Sequence, residues 1–429
     1  PLTARDVKYS IERAMKVAGP RSFRTYLKDV ASVSAPDPLT VVVESKRLSP
    51  TRPENVGLVA ILPESLGNAT EASFATGASS IGTGPYKFAS WFHGQKLVLH
   101  KNADYWGKKE PWDSVTLQFV PREPARAAAL LSGSVDIVNE VTTHMEHAFR
   151  GYQIISSTSY MLNYLSMDQF RDQSPYLRAT DGSALAANPL KSLQVRQALG
   201  LSINRDAIIK FLMKRDGVIS QQLVPRGFFG HDARFTLPAY DPVKARALLA
   251  QAGYPNGFRM TLHCTNNRYL NDAKVCEAVA QMFTRIGVRT AVSTMPFALF
   301  QTRAFRGGAN GQPEFSMVLF GVSAVTGNSI TPLTSTVHSH HKVLGTGVSN
   351  LGRYHNRSVD GLIAQAAGTP DAQAREQLQK QATAMALNDS AIIPLHHLKA
   401  AWAMRKGLTI QPRSDGFTLA MNIRSTAEQ

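Results

Sequence analysis

Strand-like and helix-like patterns of apolar residues follow one another along most of the chain. In residues 86–100, two apolar stretches flank His93-Gly94-Gln95, an arrangement typical of a β-hairpin with a glycine turn. Residues 115–120 alternate apolar and polar side chains, which predicts one more half-buried strand. The first third of the chain therefore contains β-structure built around a hairpin.

Helical segments have a different spacing, with apolar residues on one face every three or four positions. Thr3 and Asp6 have the spacing of a capping box ahead of such a segment, and Gly19-Pro20 follows it, so a helix is predicted between them. Residues 124–131 form an alanine-rich helix that is predicted to end at Gly133.

Shorter elements lie between these segments. The pattern predicts a strand at residues 39–44, a short buried element at 56–62, a loop at 68–80 and a buried strand at 135–138.

From about residue 160 onward, strands and helices alternate. The predicted strands cover residues 160–168, 259–263, 288–293, 315–320 and 392–395, and the predicted helices lie around 195–203, 242–252, 275–286 and 370–385. A strand–helix–strand order favours parallel pairing with helices covering the sheet, so the fold class is predicted to be α/β.

Composition sets the size of the fold and narrows the class of partner. A chain of 429 residues with 43% hydrophobic residues can bury a large core in two or three domains. The net charge of +16 is compatible with nucleic acid, an anionic membrane surface or acidic ligands. Lys and Arg form no run of four or more and do not interleave with aromatic residues on one face, which favours a solvated basic surface and no nucleic-acid partner.

Recognisable catalytic motifs are absent from the sequence. No phosphate-binding loop, dinucleotide fingerprint or nucleophile elbow occurs, and His144 and His147 lack the spacing of a zinc-protease helix. His338, His340 and His341 could ligate a metal, but the loop around them has no nearby carboxylate. We therefore predict no enzyme, no cofactor and no metal site.

Two cysteines, Cys264 and Cys276, cannot form a disulfide framework, but they could form one bridge. A strand end and the helix that follows it can bring them close enough, and two buried thiols are the alternative. The sequence leaves both states open.

Several motifs resemble one protein family. The turn GTGPY at residues 82–86, the strand with Trp91 and the later YWG at 105–107 are similar to the substrate-binding proteins of peptide, nickel and opine ABC importers, called family 5. The run VRQALGLSINR at 195–205 and AGYPNGF at 252–258 resemble that family more specifically. The resemblance covers nearly the whole chain.

This resemblance implies a two-lobed periplasmic-binding-protein-like fold of class II, in its large type with an extra subdomain in lobe I. Residues 1–160 would form lobe I, with a peripheral subdomain at about 1–80, residues 161–401 lobe II, and 402–429 a return to lobe I. Relatives have several strands ahead of the position of Pro1, so the chain is expected to lack an amino-terminal segment. The family also implies a periplasmic location and permease subunits in the inner membrane as partners.

In this family the ligand lies between the lobes, and peptide binders place a Gly-Trp pair and acidic residues after a strand of lobe II. One of those acids pairs with the amino terminus of the peptide. This chain has Val322 in place of the Trp, and Val325, Asn328 and Ile330 where acids are expected. A buried ammonium would have no carboxylate here, so the resemblance predicts a neutral or anionic ligand that could be peptide-like.

The same resemblance places Arg303 at the position of an arginine that faces the ligand carboxylate. Arginine has a fork of donors that suits a carboxylate. The expected ligand-binding residues are Arg303, Val322, Ser323, Thr326, Asn328 and, in the middle of the strand at 160–168, Asn163.

The function implied by the family is that of an extracytoplasmic solute-binding protein, which captures a small ligand and delivers it to an ABC importer. Two alternatives stay open at this point. One is a sensor that carries the same ligand-binding domain and would need a DNA-binding segment ahead of Pro1, and the other is a binder of nickel chelates.

Overall fold

The computed structural model describes residues 1–17 and 22–428. Gly19 and Pro20, the predicted end of the first helix, lie outside the described residues. The chain divides into two compact units. Unit 1 comprises Pro1–Ser156 and Ala401–Gln429, and unit 2 comprises Ser157–Ala400.

The helices and strands have the following bounds. The strands are β1 (Val30–Asp37), β2 (Thr40–Ser45), β3 (Tyr86–Phe92), β4 (Lys96–Lys101), β5 (Ser114–Gln118), β6 (Ile137–Asn139), β7 (Gln153–Met167), β8 (Leu177–Arg178), β9 (Gly217–Ile219), β10 (Phe258–Thr265), β11 (Val288–Met295), β12 (Met317–Ser323), β13 (Ile393–Met404), β14 (Leu408–Ile410) and β15 (Ile423–Ser425). The helices are α1 (Ala4–Lys16), α2 (Arg24–Leu27), α3 (Arg52–Val56), α4 (Glu71–Ala75), α5 (Glu123–Leu131), α6 (Thr143–Glu146), α7 (Leu193–Leu201), α8 (Arg205–Ala207), α9 (Pro242–Gln251), α10 (Asp272–Arg285), α11 (Phe297–Arg306), α12 (Ile330–Pro332), α13 (Arg357–Gly368) and α14 (Ala372–Asn388).

Unit 1 begins with the predicted capped helix. The backbone N–H of Thr3 donates to Asp6 Oδ2 at 2.7 Å, and α1 follows directly. Its buried residue Ile11 packs in one cluster with Leu27, Val30 and Val33, so α1 covers one face of the antiparallel pair β1–β2.

The predicted hairpin is confirmed as β3 and β4, which pair with β5 in a three-stranded antiparallel sheet. Trp91 lies opposite Leu97, and Leu97 lies opposite Leu117, so the three side chains share one face of this sheet. The prediction of a short buried element at residues 56–62 is wrong. This segment is the end of α3 and a partly exposed loop in which Ile61 is 37% exposed.

The carboxyl-terminal segment of unit 1 contacts residues 110–139. The end of β13 pairs antiparallel with β6, with Trp402 opposite Asn139. Further along, Arg424 forms an ion pair with Glu110 at 2.9 Å, and the indole N–H of Trp112 donates to the carbonyl of Ile423. These contacts hold the last residues on unit 1.

Unit 2 is built on a mixed sheet. Its strand order is β11-β10-β12-β7-β13, with β8 paired to β10 and β9 paired to β13. Strand β10 runs parallel to both β11 and β12, which confirms the prediction of parallel pairing, whereas β12 runs antiparallel to β7. The segments between the parallel strands are α10 and α11.

Each face of this sheet has its own hydrophobic core, because alternate residues of a strand point to opposite faces. In β7, Leu165 and Met167 join a cluster with residues of α7, α9 and α10. Leu162 and Tyr164 join a second cluster with residues of α11, α13 and α14. The sheet is therefore covered by helices on both sides, and these two helical layers hold its strands in place.

Within the described residues, none of the helices is both long and apolar enough to span a membrane.

Candidate ligand-binding site

The carboxyl ends of β10, β11 and β12 lie along one edge of the sheet in unit 2, which we call the carboxyl edge. Thr265 and Met295 end their strands side by side in the register of β10 and β11. Because β7 is antiparallel to β12, Met161 lies beside Ser323 at this edge. In open α/β sheets, ligands bind outside the carboxyl ends of the strands, so this edge is the candidate site.

An exposed arginine lies in the loop after β10, at residues 266–271. The guanidinium carbon of Arg268 is 4.9 Å from the ring centroid of Phe297 and 5.7 Å from that of Tyr269. Across the residues that the structure describes, no acidic side chain forms an ion pair with Arg268. Two aromatic rings thus orient a cation whose charge has no carboxylate partner, which is a suitable arrangement for a ligand carboxylate.

Hydrogen bonds tie this loop to the start of α11, the segment after β11. Asn267 Oδ1 accepts a hydrogen bond from the backbone N–H of Phe297 at 2.8 Å, and the N–H of Asn266 donates to the carbonyl of Met295 at 3.2 Å. The loops after β10 and β11 are therefore held as one surface.

Tyr269 connects the same loop to β12. Its ring packs on the backbone of Gly321, where an added Cβ would lie 2.7 Å from the nearest ring atom. Burial raises the pKa of Tyr269 to about 12, so the phenol is neutral at physiological pH. Glycine is required at residue 321 because the aromatic ring occupies the space of a side chain.

Three of the residues predicted from the sequence lie together at the carboxyl edge. Val322 and Ser323 are the last two residues of β12, and Thr326 follows in the next loop; all three are half-buried. The hydroxyl of Thr326 is 2.7 Å from that of Thr331, and Ser323 Oγ lies 3.5 Å from Met161 Sδ. These side chains have enough exposure to contact a ligand.

The two predicted asparagines are buried. Asn328 is 5% exposed, and its side-chain oxygen accepts from the backbone N–H of Ile330 at 3.0 Å, which shapes the turn after β12. Asn163 is 1% exposed and lies opposite Gly321 in the pairing of β7 with β12. Both residues lie near the carboxyl edge, but their side chains face the protein interior.

Arg303 is not brought together with the other predicted residues. Its Nε donates to Glu314 Oε2 at 2.9 Å, and its guanidinium lies over the ring of Phe315. Glu314 and Phe315 precede β12, whereas Ser323 ends it, and a seven-residue strand spans about 20 Å. The resemblance placed Arg303 toward a ligand carboxylate, whereas in the structure its guanidinium is paired with the carboxylate of Glu314.

A compact polar network surrounds this ion pair at the start of β12. The hydroxyl of Tyr176 donates to Glu314 Oε1 at 2.5 Å, and His263 stacks on Phe315 with 4.0 Å between ring centroids. Burial, with a smaller contribution from the nearby Arg303 charge, lowers the pKa of His263 to about 4. This network stabilises unit 2 away from the carboxyl edge.

Aromatic side chains extend the candidate surface towards β7. The rings of Tyr160 and Phe228 meet edge to face with centroids 6.5 Å apart. The next residue, Phe229, donates its backbone N–H to the carbonyl of Gly327 at 3.3 Å, so the loop around Phe228 adjoins the loop after β12. Apolar and polar contacts are thus available on neighbouring segments.

The fold brings a carboxylate, that of Asp360, to the histidine-rich loop, although the sequence around the loop has none. His338 Nδ1 is 3.4 Å from Asp360 Oδ1, and its neighbours His340 and His341 are directed to backbone partners. Throughout residues 1–17 and 22–428, no group of three or more His, Cys, Asp or Glu side chains is arranged to hold a metal ion.

Sequence reasoning missed Arg268 and Tyr269. The available signal was their position, because the polar run NNRY at residues 266–269 follows directly after a buried strand. Loops at the carboxyl ends of parallel strands carry binding residues in this class of fold.

Residues 1–342 match the family described as bacterial extracellular solute-binding proteins, family 5 Middle. The glutathione-binding protein GsiB of Escherichia coli (strain K12) is 29% identical over 413 residues, which cover 94% of this chain and 75% of that protein. GsiB of Shigella flexneri is 29% identical over 429 residues, with 94% and 75% covered.

Solved structures share the fold. AppA from Clostridium difficile superposes with a TM-score of 0.82 at 19% identity, covering 99% of this chain and 85% of that one. NikZ from Campylobacter jejuni, in complex with Ni(L-His), gives a TM-score of 0.76 at 22% identity, covering 96% and 81%.

Proposed function

The chain belongs to the bacterial extracellular solute-binding proteins of family 5, and we propose that it binds a small ligand at the carboxyl edge of unit 2 and delivers it to an ABC importer. Its α/β fold is that of the two-lobed periplasmic binding proteins. We propose that units 1 and 2 are the two lobes, because the chain crosses from one to the other at Ser156–Ser157 and again at Ala400–Ala401.

The observation that carries this proposal is Arg268. Its guanidinium is exposed, is oriented by Phe297 and has no acidic partner in the described part of the chain. A charge-assisted hydrogen bond from arginine to a carboxylate contributes about 1.5–3 kcal/mol, enough to select an anionic ligand over its neutral analogue. Val322, Ser323 and Thr326 supply neighbouring contacts.

The ligand class follows from the charges at this edge. Val325, Asn328 and Ile330 offer no carboxylate to a peptide ammonium, so a ligand with an isolated amino terminus would lose hydration without compensation. The GsiB relatives are named for glutathione. In a γ-glutamyl peptide the ammonium lies beside its own carboxylate, which reduces this cost. We therefore propose an anionic, glutathione-like peptide as the preferred ligand class.

A periplasmic location and a permease partner in the inner membrane complete the proposal. The bridged pair Cys264 and Cys276 supports an oxidising compartment, where disulfides persist. The relatives of this chain are binding proteins by name, and we propose that binding rather than catalysis is its activity.

Calorimetric titration of the protein with three probes tests the ligand class. S-Methylglutathione should bind, and N-acetyl-Ala-Ala should bind more weakly than S-methylglutathione. Ala-Ala should bind more weakly than S-methylglutathione by a factor of about ten or more, because its ammonium is uncompensated. Equal or tighter binding of Ala-Ala, or no binding of either anionic probe, would contradict the proposed class.

A further inference from the structure

We propose that the disulfide Cys264–Cys276 and the carboxylate of Asp272 position the loop at residues 266–271, and that the affinity of Arg268 for a ligand carboxylate depends on this bridge. The dependence of ligand affinity on the bridge rests on the proposed function. The ordering of the loop is argued from the disulfide and the hydrogen bonds alone.

The bridge joins the two elements on either side of this loop. Cys264 is the penultimate residue of β10, Cys276 lies in the second turn of α10, and both are fully buried. Their Cα atoms are 6.7 Å apart across a sequence separation of 12 residues. Because the closed loop is short, the conformational restriction falls on the residues inside it.

The side chain of Asp272, the first residue of α10, accepts hydrogen bonds from the backbone of the loop. Its Oδ2 accepts hydrogen bonds from Thr265 Oγ1 at 2.5 Å, from the N–H of Arg268 at 3.1 Å and from the N–H of Tyr269 at 3.2 Å. The side chain is 4% exposed, so water competes poorly for these donors. The two residues that present the cation and its aromatic neighbour are thus held by one carboxylate.

The far end of the loop is fixed as well. Asn271 adopts a left-handed backbone conformation with φ of 56°, and its side-chain amide donates to the carbonyl of Leu212 at 3.1 Å. The loop is therefore anchored at both ends and in the middle, while the side chain of Arg268 stays exposed. Such preorganisation reduces the ordering cost that a ligand would otherwise have to offset.

The bridge is not needed to place the strand and the helix themselves. Strand β10 pairs with β11 along its whole length, from Phe258 opposite Val288 to Thr265 opposite Met295. Helix α10 buries Val275, Val279 and Phe283 in the core. Removal of the bridge should therefore leave both elements folded and release the loop between them.

Amide hydrogen exchange on the full chain tests the ordering directly. In the double variant Cys264→Ala/Cys276→Ala and in Asp272→Ala, the amides of Arg268 and Tyr269 should exchange faster by a factor of about ten or more, while those of β10 and β11 change little. Asp241→Ala is the matched control, because it removes a cap from α9 in the same unit without touching the loop.

Affinity provides the second readout. The double variant should bind S-methylglutathione about tenfold more weakly than the wild type, while its affinity for the diethyl ester of S-methylglutathione, which lacks the free carboxylates, should stay within about twofold. In Asp272→Asn the side chain keeps an acceptor oxygen, so this variant should fall between the wild type and Asp272→Ala.

Unchanged exchange in both variants would overturn the proposal whatever the ligand is. Faster exchange across all of unit 2, or equal losses of affinity for the acid and its ester, would show a purely structural role and would also overturn it. If the wild type binds no S-methylglutathione, the proposed ligand class fails, and the exchange data still decide whether the bridge positions the loop.

Discussion

Arg303 donates from Nε to Glu314 Oε2 at 2.9 Å, so its charge is compensated within unit 2. Glu314 is 17% exposed and also accepts from Tyr176, so loss of the guanidinium would leave a poorly solvated carboxylate. Arg303 thus has the surroundings of a stabilising residue, whereas Arg268 has those of a binding residue.

The first prediction concerns this ion pair. Arg303→Ala should lower the free energy of unfolding by about 1–2 kcal/mol, because it removes a charge-assisted hydrogen bond and the contact with Phe315. Urea denaturation measures the change. Arg306→Ala, an exposed residue of the same helix, is the control and should change stability by less than about 0.5 kcal/mol. Equal effects of the two substitutions would show that the ion pair contributes nothing.

The second prediction concerns Gly321, whose added Cβ would lie 2.7 Å from the ring of Tyr269. Gly321→Ala should displace that ring, cost about 1–3 kcal/mol of stability and weaken ligand binding. Gly361→Ala is a matched control, because its added Cβ would meet no atom within 4 Å apart from its chain neighbours and the local backbone of its own helix, α13. That substitution should stabilise the protein by about 0.5–1 kcal/mol. Unaltered binding in Gly321→Ala would argue against the role of Tyr269.

The third prediction concerns pH. Burial lowers the pKa of His396 from 6.5 to about 4 and that of His397 from 6.5 to about 3. Below about pH 6.5 the unfolded chain therefore takes up protons that the folded chain does not, so stability is full above this pH and falls as the pH decreases. Each histidine should lower the free energy of unfolding at pH 5 by on the order of 2 kcal/mol relative to its value at pH 7.5.

Urea denaturation at pH 7.5 and pH 5 measures this loss. In His396→Phe the side chain at residue 396 cannot be protonated. The free energy of unfolding of this variant should therefore fall by about 2 kcal/mol less than that of the wild type between pH 7.5 and pH 5. A wild-type stability that is equal at both values would contradict the buried neutral state of these histidines.

Local patterns in the sequence predicted the strands β7, β10, β11, β12 and β13 of unit 2 and four of its helices, α7, α9, α10 and α14. In the structure Asp241 caps α9, which has Pro242 in its first turn, and Asn204 caps α8. The last strand was predicted at residues 392–395, but β13 continues to Met404. Its continuation depends on pairing with β9 and β6, which lie far away in sequence, so no local pattern could reveal it.

The candidate site could be predicted only in part. The family resemblance pointed to Val322, Ser323 and Thr326, and in the structure the first two end β12 while Thr326 lies in the loop after it. The partner of Arg303 could not be predicted, because Glu314 lies beyond the end of the helix and meets it only through packing. Arg268 stayed unnoticed because an exposed arginine in a loop has no pattern of its own until its aromatic neighbours are known.

The central claim is that unit 2 binds an anionic ligand through Arg268 at the carboxyl edge. Calorimetric titration of wild type, Arg268→Ala and Arg303→Ala with S-methylglutathione tests it most directly. Arg268→Ala should weaken binding by about 1.5–3 kcal/mol, and Arg303→Ala should bind as the wild type does within about 0.5 kcal/mol. Weakened binding in Arg303→Ala together with unchanged binding in Arg268→Ala would contradict the claim.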